Sequence, residues 1–526
     1  MKEFTYDVFS LFSKDIGNWS KNFFWPISRN ETQRILTDIL EIFYGNINKE
    51  KKIHTKNCLI TYNQFYNPYV VIFNYLLLKK RISKKKYKIN YSKNSKVMRY
   101  LFQESNEFPV NLESFNNKKS ENYNFRLLKD KLKTFLFNFS RGNLFPNDSI
   151  FAINQQGVLN QDYFKNNSKW INIISVERLK SNMTIQNYDK ELLGVINSLH
   201  HQCLKYSKEK LNIKVSKRIE KDIQLFQMKY LQNISSLLKC LYDNKELQNV
   251  KEIFVDSPKT VVRAISLVIK KNGGYVYGFP HGSWICHSFS KRPIYNEFLV
   301  YDYFCIYNSS QKVLFSDNLK KNLSNLPIKF ISQDSNIFNK YRTRYKSKLP
   351  SKIKTIMILE SQLWCDDVRF ELPETMIIYE FYYYLCSFLS SLGYKILFKK
   401  RPKSLSMDFP FFQNIQNIEI IDGDLKEKKN LNLPDVIIFM YGLSSTFIPL
   451  ICSNKKLIFF DCGWERWNPK IFRELKKRCD IVKTFNTADN KIRFKKSIFI
   501  KNINITKKNL DTSLFDKYLS LSHEKK

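Results

Sequence analysis

Four clusters in the sequence combine residue types that suit proton transfer or the holding of an anion. The first is Gly278-Phe-Pro-His281-Gly282-Ser283. A histidine titrates near neutrality and can take a proton from a hydroxyl, while Gly282 lets a ligand or a second backbone approach closely. A histidine in such a turn also serves simply to satisfy a local carbonyl. The second is Glu297-Phe-Leu-Val-Tyr-Asp302, whose carboxylate pair suits orienting the histidine or acting as the base itself; helix capping and surface solvation are its plainer uses. The third, Lys399-Lys-Arg401-Pro-Lys403, gathers cations that would meet phosphates, with Arg401 able to do so bidentately. Pro402 stiffens that turn, which would also serve solubility. The fourth, Tyr441-Gly442-Leu-Ser444-Ser445-Thr446, places hydroxyls and backbone N–H groups ahead of a predicted helix, where the helix dipole favours an anion. N-capping by Ser444 or Ser445 is compatible with that role. No G-x-x-x-x-G-K-[ST] loop, G-x-G-x-x-G fingerprint, H-E-x-x-H or Cys/His metal spacing occurs. The expectation is therefore no bound cofactor and no required metal.

Each cluster follows or adjoins a predicted strand, and doubly wound sheets bind ligands beyond the carboxyl ends of their strands. Glu252-Ile-Phe-Val-Asp256 reads as a strand closed by an Asp-Ser-Pro turn. Thr260–Lys271 predicts an amphipathic helix stopped by Asn272-Gly273-Gly274, and Tyr275-Val-Tyr-Gly278 predicts a second strand. Strand, helix, strand at this spacing is a βαβ unit and implies a parallel sheet. Phe304-Cys-Ile-Tyr307 reads as another buried strand before a helix from Ser309. The polar, basic stretch Ser332–Ser351 is the predicted linker. Beyond it, strands are predicted at Lys354–Leu359, Lys395–Lys399, Ile418–Ile421, Asp435–Met440 and Leu457–Phe460, with helices at Glu374–Leu392, Ser445–Ser453 and Pro469–Arg478. The first 240 residues signal less, although Lys205–Asn249 reads as mainly helical from its apolar period. The expected fold class is α/β: two Rossmann-like doubly wound domains facing a cleft, with a helix-rich N-terminal region. Their expected bounds are 1–335, clearest as α/β over 251–330, and 352–510.

Length and composition agree with two domains. At 526 residues the chain exceeds what one core usually supports. A hydrophobic fraction of 43% with 15% aromatic residues argues against long disorder. Lys and Arg number 87 against 48 Asp and Glu, a net charge of +39, which concentrates nucleic acid, acidic lipid or phosphorylated substrates nearby. Joint heavy use of Lys, Asn, Ile, Phe and Tyr is also what A/T-rich codons produce. No RNA-binding pattern and no basic stripe with regularly interleaved aromatics occurs, so nucleic acid is not the expected partner. An anionic leaflet attracts basic segments by about 1 kcal/mol per Lys or Arg near its surface, which leaves room for loose peripheral membrane contact. The ten cysteines form no C-x-x-C pair and suit free thiols. Met1–Ser20 lacks the apolar run of a secretory signal. Tyr69–Leu78 is too short to span a bilayer, which takes about 20 residues, and carries Asn74. The expected location is the cytoplasm, at the membrane's inner face where contact is made.

His281-Gly282, then Glu297 and Asp302 before an aromatic strand, resembles the His-Gly…Glu…Asp segment of transferases of bacterial surface-carbohydrate biosynthesis. Arg401-Pro402, Leu443-Ser-Ser-Thr446, Lys456–Asp461 and Trp464-Glu465 are similar to motifs of capsule-polysaccharide, Kdo and CDP-glycerol transferases. The resemblance covers about residues 251–480. It implies the glycosyltransferase-B architecture and transfer of a sugar, or a polyol phosphate, from a nucleotide donor to a surface polysaccharide, lipopolysaccharide or capsule acceptor. It also implies an acceptor-side first domain supplying His281 with Glu297 or Asp302, and a donor-side second domain holding phosphates through Lys399, Arg401, Ser444, Ser445 and Thr446. The pattern departs in three places: Ser283-Trp284 replaces a Gly-rich run, Tyr307-Asn308 replaces an aromatic-Gly pair, and Phe447-Ile448-Pro449 lacks the acid that holds a donor ribose in related enzymes. A nucleotide-sugar epimerase and a basic nucleic-acid-binding protein are the alternative readings.

Overall fold

Short β-branched and aromatic runs, separated by helices, assemble into two parallel sheets. The computed structural model of the chain describes residues 3–11, 14–62, 64–85, 87–93, 95–110, 131–132, 149–153, 170–173, 179, 189–256, 259–280, 297–322, 327–333, 352–361, 375–400, 412, 414–422, 425, 432–442, 446–504 and 510–520. β1 (Glu3–Thr5) and β2 (Lys88–Asn90) pair as a small parallel ribbon. The first sheet holds β3 (Ser149–Ile153), β4 (Trp170–Ile173), β5 (Glu252–Asp256), β6 (Tyr275–Phe279), β7 (Tyr303–Ile306) and β8 (Lys329–Ser332), in the order β4-β3-β5-β6-β7-β8. All its pairs are parallel. Across its middle the rings of Phe254, Tyr277 and Tyr303 stack with centroids 4.6 Å apart at each step, the aromatic pairing that pins strand register.

The second sheet holds β9 (Thr355–Leu359), β10 (Lys395–Lys399), β11 (Ile418–Ile421), β12 (Val436–Phe439), β13 (Lys456–Asp461), β14 (Asp480–Asn486) and β15 (Ile492–Phe494), ordered β11-β10-β9-β12-β13-β14-β15. Only its last pair is antiparallel. Ile356, Met357 and Ile358 on β9, and Val436, Ile437 and Ile438 on β12, are wholly buried, as expected of central parallel strands covered on both faces. The chain starts at β9, steps outward through β10 to β11, then returns to the other side of β9 as β12. That reversal is the topological switch point where doubly wound sheets open a crevice. In the first sheet the equivalent reversal lies between β3 and β5.

The expected α/β class therefore holds, with a helix-rich N-terminal layer formed chiefly by Arg29–Lys49, Ile53–Thr61, Tyr66–Lys84, Lys190–Glu209 and Lys217–Tyr242. The apolar run Tyr69–Leu78 lies inside one of these helices, and Asn74 is buried there with its amide donating to the Val70 carbonyl at 2.7 Å. β3 and β4 escaped the sequence reading, as did β14, β15 and the helix Lys496–Asn504. The linker beyond residue 333 lies outside the described residues. Among the described residues no helix is long and apolar enough to cross a membrane, and every cysteine is free.

Both chain ends reach across the two sheets. The helix Ile16–Asn22 packs on Thr375–Ser391 of the second sheet's layer, where Ser20 donates to Glu380 at 2.9 Å. Arg493 grips the fully buried Glu380 with two bonds of 2.6 and 2.8 Å. At the other end, Ser513–Tyr518 packs on both Pro469–Arg478 and Ser309–Asn322. Asn308, the residue that departs from the aromatic-Gly pattern, donates to the carbonyls of Lys517 and Ser520 at 3.0 Å each. That departure has a structural use: a glycine there would leave the tail's carbonyls without this donor.

The start of Arg29–Lys49 is fixed by a capping box between Ser28 and Glu31, and Arg81 grips the same carboxylate at 2.9 Å. Burial raises the Glu31 carboxyl, but the Arg81 and Ser28 bonds outweigh it and hold it down at about 2. A carboxyl lowered on folding stabilises above its unfolded range and loses that contribution as pH falls. The stability difference between the native chain and Glu31→Gln should accordingly be full above pH about 4.5 and vanish toward pH 2, read by urea denaturation across that window. Arg493→Met leaves Glu380 buried without its cation and should cost about 3–5 kcal/mol, read as a lowered denaturation midpoint.

Candidate functional site

At the second sheet's switch point the chain leaves β12 through Met440, Tyr441 and Gly442. Gly442 donates its N–H to Glu465 Oε1 at 2.9 Å. A Cβ on Gly442 would lie 2.6 Å from the Trp467 ring, so only glycine fits between the strand end and that indole. Trp467 is itself wedged among Phe447, Phe459 and Phe472, with centroids 5.5–6.3 Å away. Glu465 is 9% exposed, and a buried carboxylate accepting a backbone N–H sets the path of the turn rather than solvating it. Its signal in the sequence was Trp464-Glu465 just past β13, but its tie to Gly442 was not readable there.

The helix after this turn is Phe447–Ile451, shorter than the Ser445–Ser453 expected. Thr446 takes the cap position in a helical conformation with no side-chain capping bond, and the Ser453 hydroxyl closes the other end on the Leu450 carbonyl at 2.7 Å. Five residues make only a weak dipole. Ser444, Ser445 and Arg401 lie outside the described residues. Lys399 ends β10 buried at 4% exposure, and its ammonium donates to the Lys400 carbonyl. That bond turns the cation back onto the chain that leads to Arg401.

A second cluster occupies the carboxyl edge of the first sheet. Asp256, 1% exposed, ends β5 beside the switch point. Arg263, on the following helix Thr260–Lys271, has no exposed surface and donates to the Ile60 carbonyl at 2.7 Å. Burial works against its charge, while Tyr44, Tyr301, Tyr66 and Glu297 favour it. Burial likewise pushes the Tyr301 hydroxyl far above its usual range; Glu297 and Asp256 add to this and Arg263 opposes it. The Tyr301 ring lies flat on β6, since a Cβ on Gly278 would sit 2.5 Å from it. Arg263 gave no sequence signal because it falls with Thr260, Ser266 and Lys270 on the polar side of an amphipathic helix, where an arginine is expected to meet water.

Glu297 thus joins Arg263 and Tyr301 in one electrostatic cluster. Asp302 does not. It accepts from the Val276 N–H at 3.0 Å and pairs with Lys270 at 2.9 Å, which puts it at the amino edge of β6 and β7. The expected Glu297–Asp302 pair is corrected here: the strand start takes Asp302 to the end of β6 opposite Pro280, the residue before His281. His281 itself lies outside the described residues.

One helix touches both edges. Arg29 donates to the Gly463 carbonyl at 3.1 Å and to the Trp464 carbonyl, just past β13 and beside Glu465. Tyr44, in the same helix Arg29–Lys49, acts on Arg263. Fifteen residues of helix, about 22 Å, separate these two positions.

No protein-family model matches the sequence, and no curated protein is matched by it. Among solved structures the chain is similar to a Listeria monocytogenes protein described as a UDP-N-acetylglucosamine 2-epimerase, at 11% identity and TM-score 0.36, covering 70% of this chain and 88% of that one. It is also similar to Phytolacca americana UGT2 complexed with UDP-2-fluoro-glucose and pterostilbene, at 12% identity and TM-score 0.34, covering 65% and 86%. A third is S. aureus MnaA with UDP, at 13% identity and TM-score 0.28, covering 59% and 78%. Likenesses this shallow leave the fold resting on the strand orders themselves.

Gly442→Ala should force Trp467 away from the turn and cost about 1–3 kcal/mol, read as a lower thermal midpoint. Glu465→Gln, which keeps the acceptor oxygen, should retain the native midpoint far better than Glu465→Ala.

Proposed function

We propose that the chain is a nucleotide-sugar-dependent glycosyltransferase, moving a sugar or polyol phosphate to a surface-glycan acceptor. The observation that carries this reading is the pair of parallel sheets, each of which reverses its strand order to open a switch point at its carboxyl edge. Two such edges would give one site for a donor and one for an acceptor.

In this reading the turn after β12 takes the donor. Glu465 fixes the Gly442 N–H, and the following Ser444, Ser445 and Thr446 offer hydroxyls and N–H groups to the phosphates. Arg401 adds a bidentate cation. Lys399, held by the Lys400 carbonyl, positions that cation's turn instead of meeting phosphate. These groups would stabilise the charge that grows on the leaving nucleotide. The first sheet takes the acceptor: His281, two residues past β6, removes the proton of the attacking hydroxyl. Glu297 and Arg263 keep the carboxyl edge of this sheet charged. The new glycosidic or phosphodiester bond forms at the acceptor oxygen as the donor's bond to the nucleotide phosphate breaks.

Ligand preference is tested by a thermal-shift screen against UDP, CDP, CMP and GDP, since a ligand bound only by the native state raises its stability. One of them should raise the midpoint, and Arg401→Ala should abolish the rise. With the preferred donor, Arg401→Ala should slow turnover by about 2–4 kcal/mol in transition-state binding, and His281→Ala should slow transfer more than nucleotide binding. Unchanged rates in both variants defeat the reading, and donor conversion without any acceptor points to epimerisation.

A further inference from the structure

Large apolar side chains rarely stand exposed together on a soluble surface unless something covers them. Phe485 on β14 is 52% exposed and Ile498 on the helix Lys496–Asn504 is 46% exposed. They line one open groove of about 590 Å³ at the outer edge of the second sheet. Three lysines, Lys476, Lys483 and Lys495, line the same groove, and all are exposed. Its one acid, Asp480, is already engaged by Lys456 at 3.6 Å. Lys496 and Lys501, on the same helix as Ile498, are exposed as well, so the surroundings share the groove's sign.

We propose that this face docks the protein onto an anionic lipid bilayer. Phe485 and Ile498 enter the boundary between headgroups and acyl chains, as apolar residues of interfacial helices do. Lys476, Lys483 and Lys495 meet the lipid phosphates, each adding to the attraction of an acidic leaflet. The occupant follows from charge and shape together. A second copy of this face would bring lysines against lysines, which a self-complementary interface does not tolerate. A purely electrostatic partner would have no use for two exposed apolar side chains among the lysines. The inference stands apart from the transferase reading, because the groove contains none of the proposed donor or acceptor residues.

The test is co-sedimentation of the full chain with phosphatidylcholine vesicles, with and without phosphatidylglycerol. Binding is expected to the mixed vesicles only and to fall with added salt. Lys483→Gln and Lys495→Gln should each weaken it about fivefold, and Phe485→Glu with Ile498→Glu should weaken it about tenfold or more. Far-UV circular dichroism of each variant checks the fold. Should the double variant not fold, Phe485→Trp replaces it: its fluorescence should shift to the blue on adding mixed vesicles. Equal binding to neutral vesicles, undiminished binding of the folded double variant, or an unshifted Phe485→Trp overturns the proposal. So does salt-sensitive retention on nucleic acid with no vesicle binding.

Discussion

A fully buried arginine sets a constraint that the surrounding structure has to meet. Arg263 cannot shed its proton and has no solvent to hydrate it. Its neighbours are therefore recruited from four separate parts of the chain: the Ile60 carbonyl, the phenols of Tyr44 and Tyr66, Tyr301, and Glu297. Meeting that demand draws the N-terminal helices onto the carboxyl edge of the first sheet. The same helix that supplies Tyr44 delivers Arg29 to the loop after β13. One buried charge thereby helps to fix how the helical layer lies over both sheets.

The second sheet depends on a different device. Parallel strands place their connecting turns at the two ends of the sheet, and those at the carboxyl end must leave room for a ligand while staying rigid. Here rigidity comes from Trp467 packed against Gly442 and from Glu465 holding that residue's N–H. The turn is thus preorganised by aromatic packing and one buried carboxylate. The short helix that follows contributes little dipole.

Both chain ends act as fasteners between the halves. The N-terminal segment is tied through Ser20 to the Glu380–Arg493 pair, and the Asn308 amide clasps the C-terminal tail. These ties cross between the sheets without passing through the candidate site. The halves are accordingly held at their flanks.

What the residue order settled by itself was local. Apolar runs ending in stops such as Asp-Ser-Pro or Asn-Gly-Gly mark strands and helices by period and punctuation, and this was enough for β5, β6, β9, β10, β12 and β13 and for the α/β class. It was enough, too, to place the Tyr441–Thr446 turn after a strand. The first 240 residues were less legible, because β3 and β4 are short segments that join the sheet only through the pairing of β3 with β5, which lies far along the chain. The site's inner parts were hidden for the same reason. Arg263 reads as one more residue of an amphipathic helix, Glu465 as a loop acid, and Asp302 as Glu297's companion until the strand start carries it to the opposite edge of the sheet. Which charges meet was decided by tertiary structure alone, since side chains hundreds of residues apart interact only after the sheets have closed on their helices.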